Sequence, residues 1–192
     1  MNADMDAPSL VLFAGTQMIT SGGRKEIAEG VAGLQAHGDA RPVLVFDSVT
    51  GEQVDIDLRE KPASDAAAVD EAPVRGPGRP RLGVVSREVT LLPRHWEWLS
   101  AQPSGASAAL RRLVDQARRQ NESADRIRRS QEAAFRFMSA MAGNEPGFEE
   151  ACRSLFAGDE RGFRSHVEGW PDDVADLATK LAADAFSAGS AG

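Results

Sequence analysis

The chain has 192 residues, 42% of them hydrophobic and 27% charged, which is the ordinary range of a globular protein with one or two domains. Its longest apolar runs, Leu10–Ala14 and Pro42–Phe46, fall far short of the roughly 18 residues that cross a bilayer, and no charged leader precedes either, so a cytoplasmic protein without a membrane partner is expected. Cys152 is the single cysteine, which excludes an intramolecular disulfide and a cysteine metal cluster within one chain; between Ala151 and Arg153 it reads as a small core residue.

The first segment alternates apolar and polar residues in short runs: Leu10-Val11-Leu12-Phe13, Met18-Ile19, Val43-Leu44-Val45-Phe46 and Val54-Asp55-Ile56-Asp57-Leu58. These read as strands. Gly15-Thr16-Gln17 and Val49-Thr50-Gly51 suit hairpin turns. Between the hairpins, Ser21 can cap a helix with Ile27, Val31 and Leu34 on one face and Gly38 as its stop. The expected unit is ββαββ, a small α+β sheet domain within residues 1–60. Residues 61–83 are rich in alanine, proline, glycine and charge, which marks a flexible linker.

Residues 84–120 read as strand, helix, turn, helix. The strand runs from about Val84 to Leu92, and Pro93 suits a first helical position because it has no N–H to leave unsatisfied. Trp96 and Leu99 share one face of the first helix. Gln102-Pro103-Ser104-Gly105 makes the turn, and Leu110, Leu113, Val114 and Ala117 form a stripe on the second helix. Residues 121–192 are helical. Ile127, Ala134, Phe135, Met138 and Met141 lie on a first helix ended by Asn144, Pro146 and Gly147, and Phe148, Cys152, Leu155 and Phe156 line a second. Phe163 and Val167 line a third, capped near Asp159. Val174, Leu177 and Leu181 lie on a last helix after Trp170-Pro171, and Ser187 begins a frayed tail. This half reads as a helical bundle.

The net charge of −7 hides an asymmetry. Residues 1–74 carry 5 basic and 13 acidic side chains, and residues 130–192 carry 5 and 11. Residues 75–129 carry 12 and 5, a net of +7, and all 12 cations are arginine. Guanidinium forks suit phosphate and guanine edges, so this middle segment is built for an anion. The blander account is an acidic partner surface, either the chain's own or that of another protein.

One strand and two helices cannot close a core, because both strand edges and an apolar helix face stay open. Antiparallel pairing with a second copy would make a two-stranded ribbon that fits the major groove. Arg87-Glu88-Val89-Thr90-Leu91-Leu92-Pro93, the Trp96 and Leu99 helix, Ser104-Gly105-Ala106-Ser107 and Leu110-Arg111-Arg112-Leu113 resemble the ribbon-helix-helix family of bacterial regulators. The resemblance implies a homodimer that binds DNA. It places Ser86, Glu88 and Thr90 on the groove face, or Arg87 if the register shifts by one, with a phosphate at the second helix N-terminus near Ser104 and Ser107 and with Arg111 and Arg112 beside it. The alternative is a strand-helix-helix that docks on the N-terminal sheet.

Upstream, Arg75-Gly76-Pro77-Gly78-Arg79-Pro80-Arg81 holds a Gly-Arg-Pro core that resembles an AT-hook, with Arg75, Arg79, Pro80 and Arg81 as the arm that enters a minor groove. Leu44-Val45-Phe46-Asp47, Thr50-Gly51, Val54-Asp55-Ile56-Asp57-Leu58 and the continuous stretch Gly78 to Leu99 resemble an uncharacterised bacterial family, domain of unknown function 2239. That resemblance implies a bacterial protein and carries no activity.

No catalytic constellation emerges, and no enzyme, metal or small-molecule cofactor is expected. Asp47, Asp55 and Asp57 fit the polar face of a half-buried sheet better than a Mg²⁺ site. His37, His95 and His166 have no spaced partners, and Ser21-Gly22-Gly23 lacks the lysine of a phosphate-binding loop. The reading is a DNA-binding regulator or nucleoid-associated protein; the alternative is a non-enzymatic protein–protein interaction or scaffold protein.

Overall fold

The computed structural model describes residues 9–56, 85 and 87–190, with side chains through Ser187. Strands β1 (Leu10–Ala14), β2 (Gln17–Gly22) and β3 (Val43–Asp47) form an antiparallel sheet in the order β2-β1-β3. Helix α1 (Arg24–Ala36) connects β2 to β3. It is followed by α2 (Pro93–Ser100), α3 (Gly105–Met141), α4 (Phe148–Ala157), α5 (Glu160–Val167), α6 (Asp172–Ala182) and a 3-10 segment, Ala183–Ser190. The fold is mixed α+β. Its contacts divide into two compact units, Met1–Pro62 with Glu122–Gly192, and Ala63–Asn121.

The first hairpin turns at Gly15, whose φ of 61° is the left-handed conformation that glycine tolerates. β2 runs on to Gly22 because β1 offers partners as far as Leu10, pairing Leu10 with Gly22 and Val11 with Ser21. Ser21 therefore belongs to the strand and not to the helix cap; the N-cap is Gly23, without a side-chain bond. Gly30 lets α1 approach the sheet: a Cβ there would lie 2.8 Å from Leu12 Cδ2 and Thr20 Cγ2.

The fourth strand of the expected ββαββ unit is reduced to one bridge, Phe46 with Gln53, and a bond from Val54 N–H to Val45 O of 2.8 Å. Asp57 and Leu58 lie outside the described residues. The chain turns tightly after β3 because Asp47 Oδ1 accepts from the N–H groups of both Val49 and Thr50 at 2.8 Å.

β1 is buried along its whole length, since both of its faces are covered. Leu10 and Leu12 pack with Ile27 and Val31 of α1 and with Val45 of β3. Val11 and Phe13, with Phe46 of β3, turn the other way into a core built by Phe137 and Met138 of α3 and by residues of α4 to α6. Phe13, Phe46 and Phe137 meet with centroid separations of 5.0 to 6.1 Å, two of the three pairs nearly edge-to-face. Residues 1–60 and 121–192, separate domains in the sequence reading, thus share one core. The reason is the apolar second face of the sheet, which α1 alone leaves open.

Among the residues expected to face the core of α3, Ala134 and Met138 are buried but Phe135 is 41% exposed. Phe135 stands about 100° round the helix from Ala134, whereas Phe137, three residues on, shares its face and is fully buried. Asp159 caps α5 by accepting from Gly162 N–H at 3.0 Å, as expected. Ser130, the one buried polar side chain among the described residues, donates to Leu181 O at 2.6 Å and accepts from Ala185 N–H at 3.0 Å. It fixes the end of α6, and the 3-10 segment continues past the expected start of the tail. On the sheet edge, Met18 N–H donates to Asp173 Oδ2 at 2.8 Å, which ties β2 to the start of α6.

Two variants test this shared core by urea denaturation. Phe137→Ala is expected to destabilise by about 3–5 kcal/mol, the usual cost of emptying a buried aromatic site, and Phe135→Ala by less than about 1 kcal/mol. Equal costs would contradict the packing described. Gly51 has φ of 66° and a Cβ there would lie 2.1 Å from Ala133 O of α3. Gly51→Ala should therefore cost more than the roughly 1–2 kcal/mol of a left-handed backbone alone; a change within that range would show that the turn does not press on α3.

Candidate nucleic-acid interface

The arm residues Arg75, Arg79, Pro80 and Arg81, and Ser86, lie outside the described residues. Arg87, Thr90, Ser104, Ser107, Arg111 and Arg112 are described, and all are exposed. Residues 87–92, part of the expected Val84–Leu92 strand, form no strand, and among the described residues the ladder contains β1, β2 and β3. Leu92 is extended, with φ of −66° and ψ of 150°, and its carbonyl accepts from His95 N–H at 2.8 Å, which starts α2 at Pro93. The turn between the helices closes through Gly105 N–H to Gln102 O at 3.0 Å, with Gly105 at φ of 74°, and places Ser104 and Ser107 around the first turn of α3.

Among the described residues of this unit, Leu99 of α2 and Ala109 of α3 are buried and Leu110 is half-buried. The rest of the expected stripe is exposed. Val89, Leu92, Trp96, Leu113 and Val114 are 40–55% exposed, although Leu92, Trp96 and Leu99 recur at the spacing of one helix face. α2 has eight residues and spans about 12 Å, too short to shield Leu113, Val114 and Ala117 further down α3. Trp98, also exposed, lies about 200° from Trp96 and belongs to the opposite side of α2.

The charges differ between the units in degree, since Arg24, Arg129 and Arg161 of the sheet-containing unit also make no ion pair among the described residues. In the unit that contains the sheet, Arg41 is bonded to Asp39 and Gln17, and its guanidinium, followed by its backbone N–H, holds the Asp39 carboxyl down to about 2. Arg126, Arg128, Arg136, Arg153 and Arg164 also have carboxylate partners. Arg87, Arg94, Arg111, Arg112, Arg118 and Arg119 make no ion pair among the described residues. Only Glu88, Glu97 and Asp115 are acidic between residues 87 and 121. Sequence reasoning counts this charge but names neither Arg94 nor the Arg118 and Arg119 pair as DNA-binding residues; the seven-residue spacing from Arg111 and Arg112 is the available signal.

Other candidate groups have structural duties. Asp47 is spent on its turn, Asp55 is exposed on its own, and His37 Nδ1 sits 2.7 Å from Gly33 O at the end of α1. Glu26 reaches back over Ser21-Gly22-Gly23, so that a Cβ on Gly23 would lie 3.2 Å from Glu26 Oε2 and the start of α1 faces its own carboxylate. Among the described residues no group of three or more His, Cys, Asp or Glu is placed to hold a metal. Cys152 is half-buried and packs against the edge of the larger core; it also lines an open depression of about 600 Å³ with Phe135, Phe148 and Phe156, and burial, followed by nearby Glu149, pushes its thiol up. No helix among the described residues is long and apolar enough to cross a membrane.

Neither curated proteins nor solved structures supply a match to this chain. The profile of a family described as uncharacterized proteins conserved in bacteria matches residues 9–182, which spans the sheet, the arginine-rich segment and the helices through α6. The chain belongs to that bacterial family, domain of unknown function 2239.

Proposed function

We propose that the protein binds duplex DNA as a homodimer, as a bacterial regulator or nucleoid-associated protein, through a ribbon-helix-helix-like element at residues 84–120. The observation that carries this reading is the coincidence, in one short element, of arginines that make no ion pair among the described residues and of exposed apolar side chains.

Pairing of Arg87–Leu92 with the same segment of a second copy satisfies both needs. It gives strand partners to a segment that joins no ladder among the described residues, and it turns Val85, Val89 and Leu91 toward a joint core with Trp96, Leu113 and Val114. Ser86, Glu88 and Thr90 then face the groove, with Arg87 there in the shifted register. Ser104 and Ser107 stand where the free N–H groups of α3 attract a phosphate, next to Arg111 and Arg112. The arm with Arg75, Arg79, Pro80 and Arg81 enters the neighbouring minor groove. Glu88 accepts from cytosine N4 or is a cost against phosphate, which makes it a specificity residue of the ribbon.

Light scattering on the eluting full-length protein is expected to give the mass of a dimer at micromolar concentration. A gel-shift titration is expected to show binding that weakens steeply between 50 and 200 mM salt, by about 10³-fold or more if six or more phosphates are contacted. Leu113→Asp should yield monomer and lose most of the affinity together. A wild-type monomer that shifts no duplex at low salt would overturn the proposal and assign the arginines to an acidic protein partner.

A further inference from the structure

The sequence resemblance places DNA contacts at the ribbon and at the first turn of α3, yet the arginines continue along that helix. We propose that the face of α3 carrying Arg111, Arg112, Arg118 and Arg119 is a track for the phosphate backbone of duplex DNA, extending the contact two helical turns beyond the Arg111–Arg112 rung. This inference rests on the DNA-binding reading and adds Arg118 and Arg119 to its contacts.

The helical geometry defines the track. Arg111 and Arg118 are seven residues apart, as are Arg112 and Arg119, which puts each pair nearly in line and about 10 Å apart along the axis. That is about three base-pair rises of 3.4 Å. The two rows stand about 100° from each other, so together they cover one broad side of the helix. Leu110, Leu113 and Ala117 stand on the opposite side. A second copy packed on the apolar side leaves the arginine side facing outward, so dimerisation and backbone contact do not compete for the same surface.

Charge points to the occupant. All four arginines are exposed, and Asp115 is the one carboxylate between the rungs, three or four residues from each of them. Elsewhere several carboxylates three or four residues before an arginine pair with it, as in Asp125 with Arg128, Glu149 and Glu150 with Arg153, and Glu160 with Arg164, although Glu122 does not pair with Arg126. Asp115 stands in the same order before Arg118 and Arg119 and makes no such pair among the described residues. One carboxylate against four guanidinium groups leaves a net charge of +3 in any case. Two rows of forked donors at a regular interval match an anion that repeats along a line, which a nucleic-acid backbone provides regardless of its sequence.

The test is the salt dependence of duplex binding by the full-length protein on two unrelated sequences. The double variant Arg118→Gln with Arg119→Gln is expected to weaken binding to both sequences alike and to lower the slope of log K against log salt by about 1–2, at roughly 0.9 for each phosphate no longer neutralised. The corresponding double lysine variant keeps the charge and should retain most of the slope. Asp115→Asn removes a repulsive charge and should tighten binding several-fold, a gain that unfolding cannot produce. An unchanged slope in the double glutamine variant, or no tightening with Asp115→Asn, overturns the track while wild-type binding leaves the ribbon reading standing. Absence of duplex binding by the wild type sinks both.

Discussion

The contact on which the larger unit depends is the meeting of Phe13 and Phe46, from the sheet, with Phe137 of α3. A three-stranded sheet with one helix can bury one face. The second face of this sheet is equally apolar, with Val11, Phe13 and Phe46 pointing away from α1, and leaving it in water would forfeit much of the hydrophobic gain that orders so small a sheet. Chain from beyond residue 121 returns to cover it. Removing either part would therefore expose the other, and the two ends of the chain are one folding problem despite lying more than a hundred residues apart.

The closure is reinforced where polar groups cross it. Met18 N–H would otherwise be an open donor on the edge strand, and Asp173 accepts from it. Arg136 of α3 donates to Thr50 O at 3.2 Å and lies near Glu52, beside the Gly51 turn that only a residue without a side chain can bring against Ala133. These exposed charge contacts add little stability individually. Their value is in register: they hold the turn after β3 at one position along the helix. Among the described residues of the smaller unit, Leu99 and Ala109 are buried and Leu110 is half-buried, while Val89, Leu92, Trp96, Leu113, Val114 and the arginines are exposed.

Much of this was legible from residue spacing. The first hairpin, α1 with Ile27 and Val31 inward, the proline start of α2, the Asp159 cap and the inward residues of α5 and α6 follow from local pattern, because turns, caps and amphipathic faces are decided within a few residues. Ser21 and Phe135 show where local pattern failed. Ser21 had two possible uses, cap or strand, and the choice depended on how far β1 extended as a partner. Phe135 and Phe137 are both large and apolar, and only the angular position relative to Ala134 and Met138 separates the core residue from the surface one. Of the expected fourth strand, Gln53 and Val54 meet β3, and Asp57 and Leu58 lie outside the described residues.

The sequence by itself determined the first hairpin, the helices of the C-terminal half and the arginine block between two acidic ends, since these follow from composition, period and the hydrogen-bonding needs of the backbone. It also held a signal of the shared core: Leu10–Ala14 and Val43–Phe46 are unbroken apolar runs, as strands covered on both faces require, and not the alternation of a sheet with one side in water. Which residues would cover that second face only the tertiary structure decided, because any of several apolar helices could have supplied them. Tertiary structure also decided which charges were already spent. It brought Arg126 to Asp184 and Arg136 to Glu52, whereas Arg41, Arg128, Arg153 and Arg164 pair with carboxylates two to four residues away, because a distant ion pair depends on where side chains arrive and not on how many of each sign the chain contains.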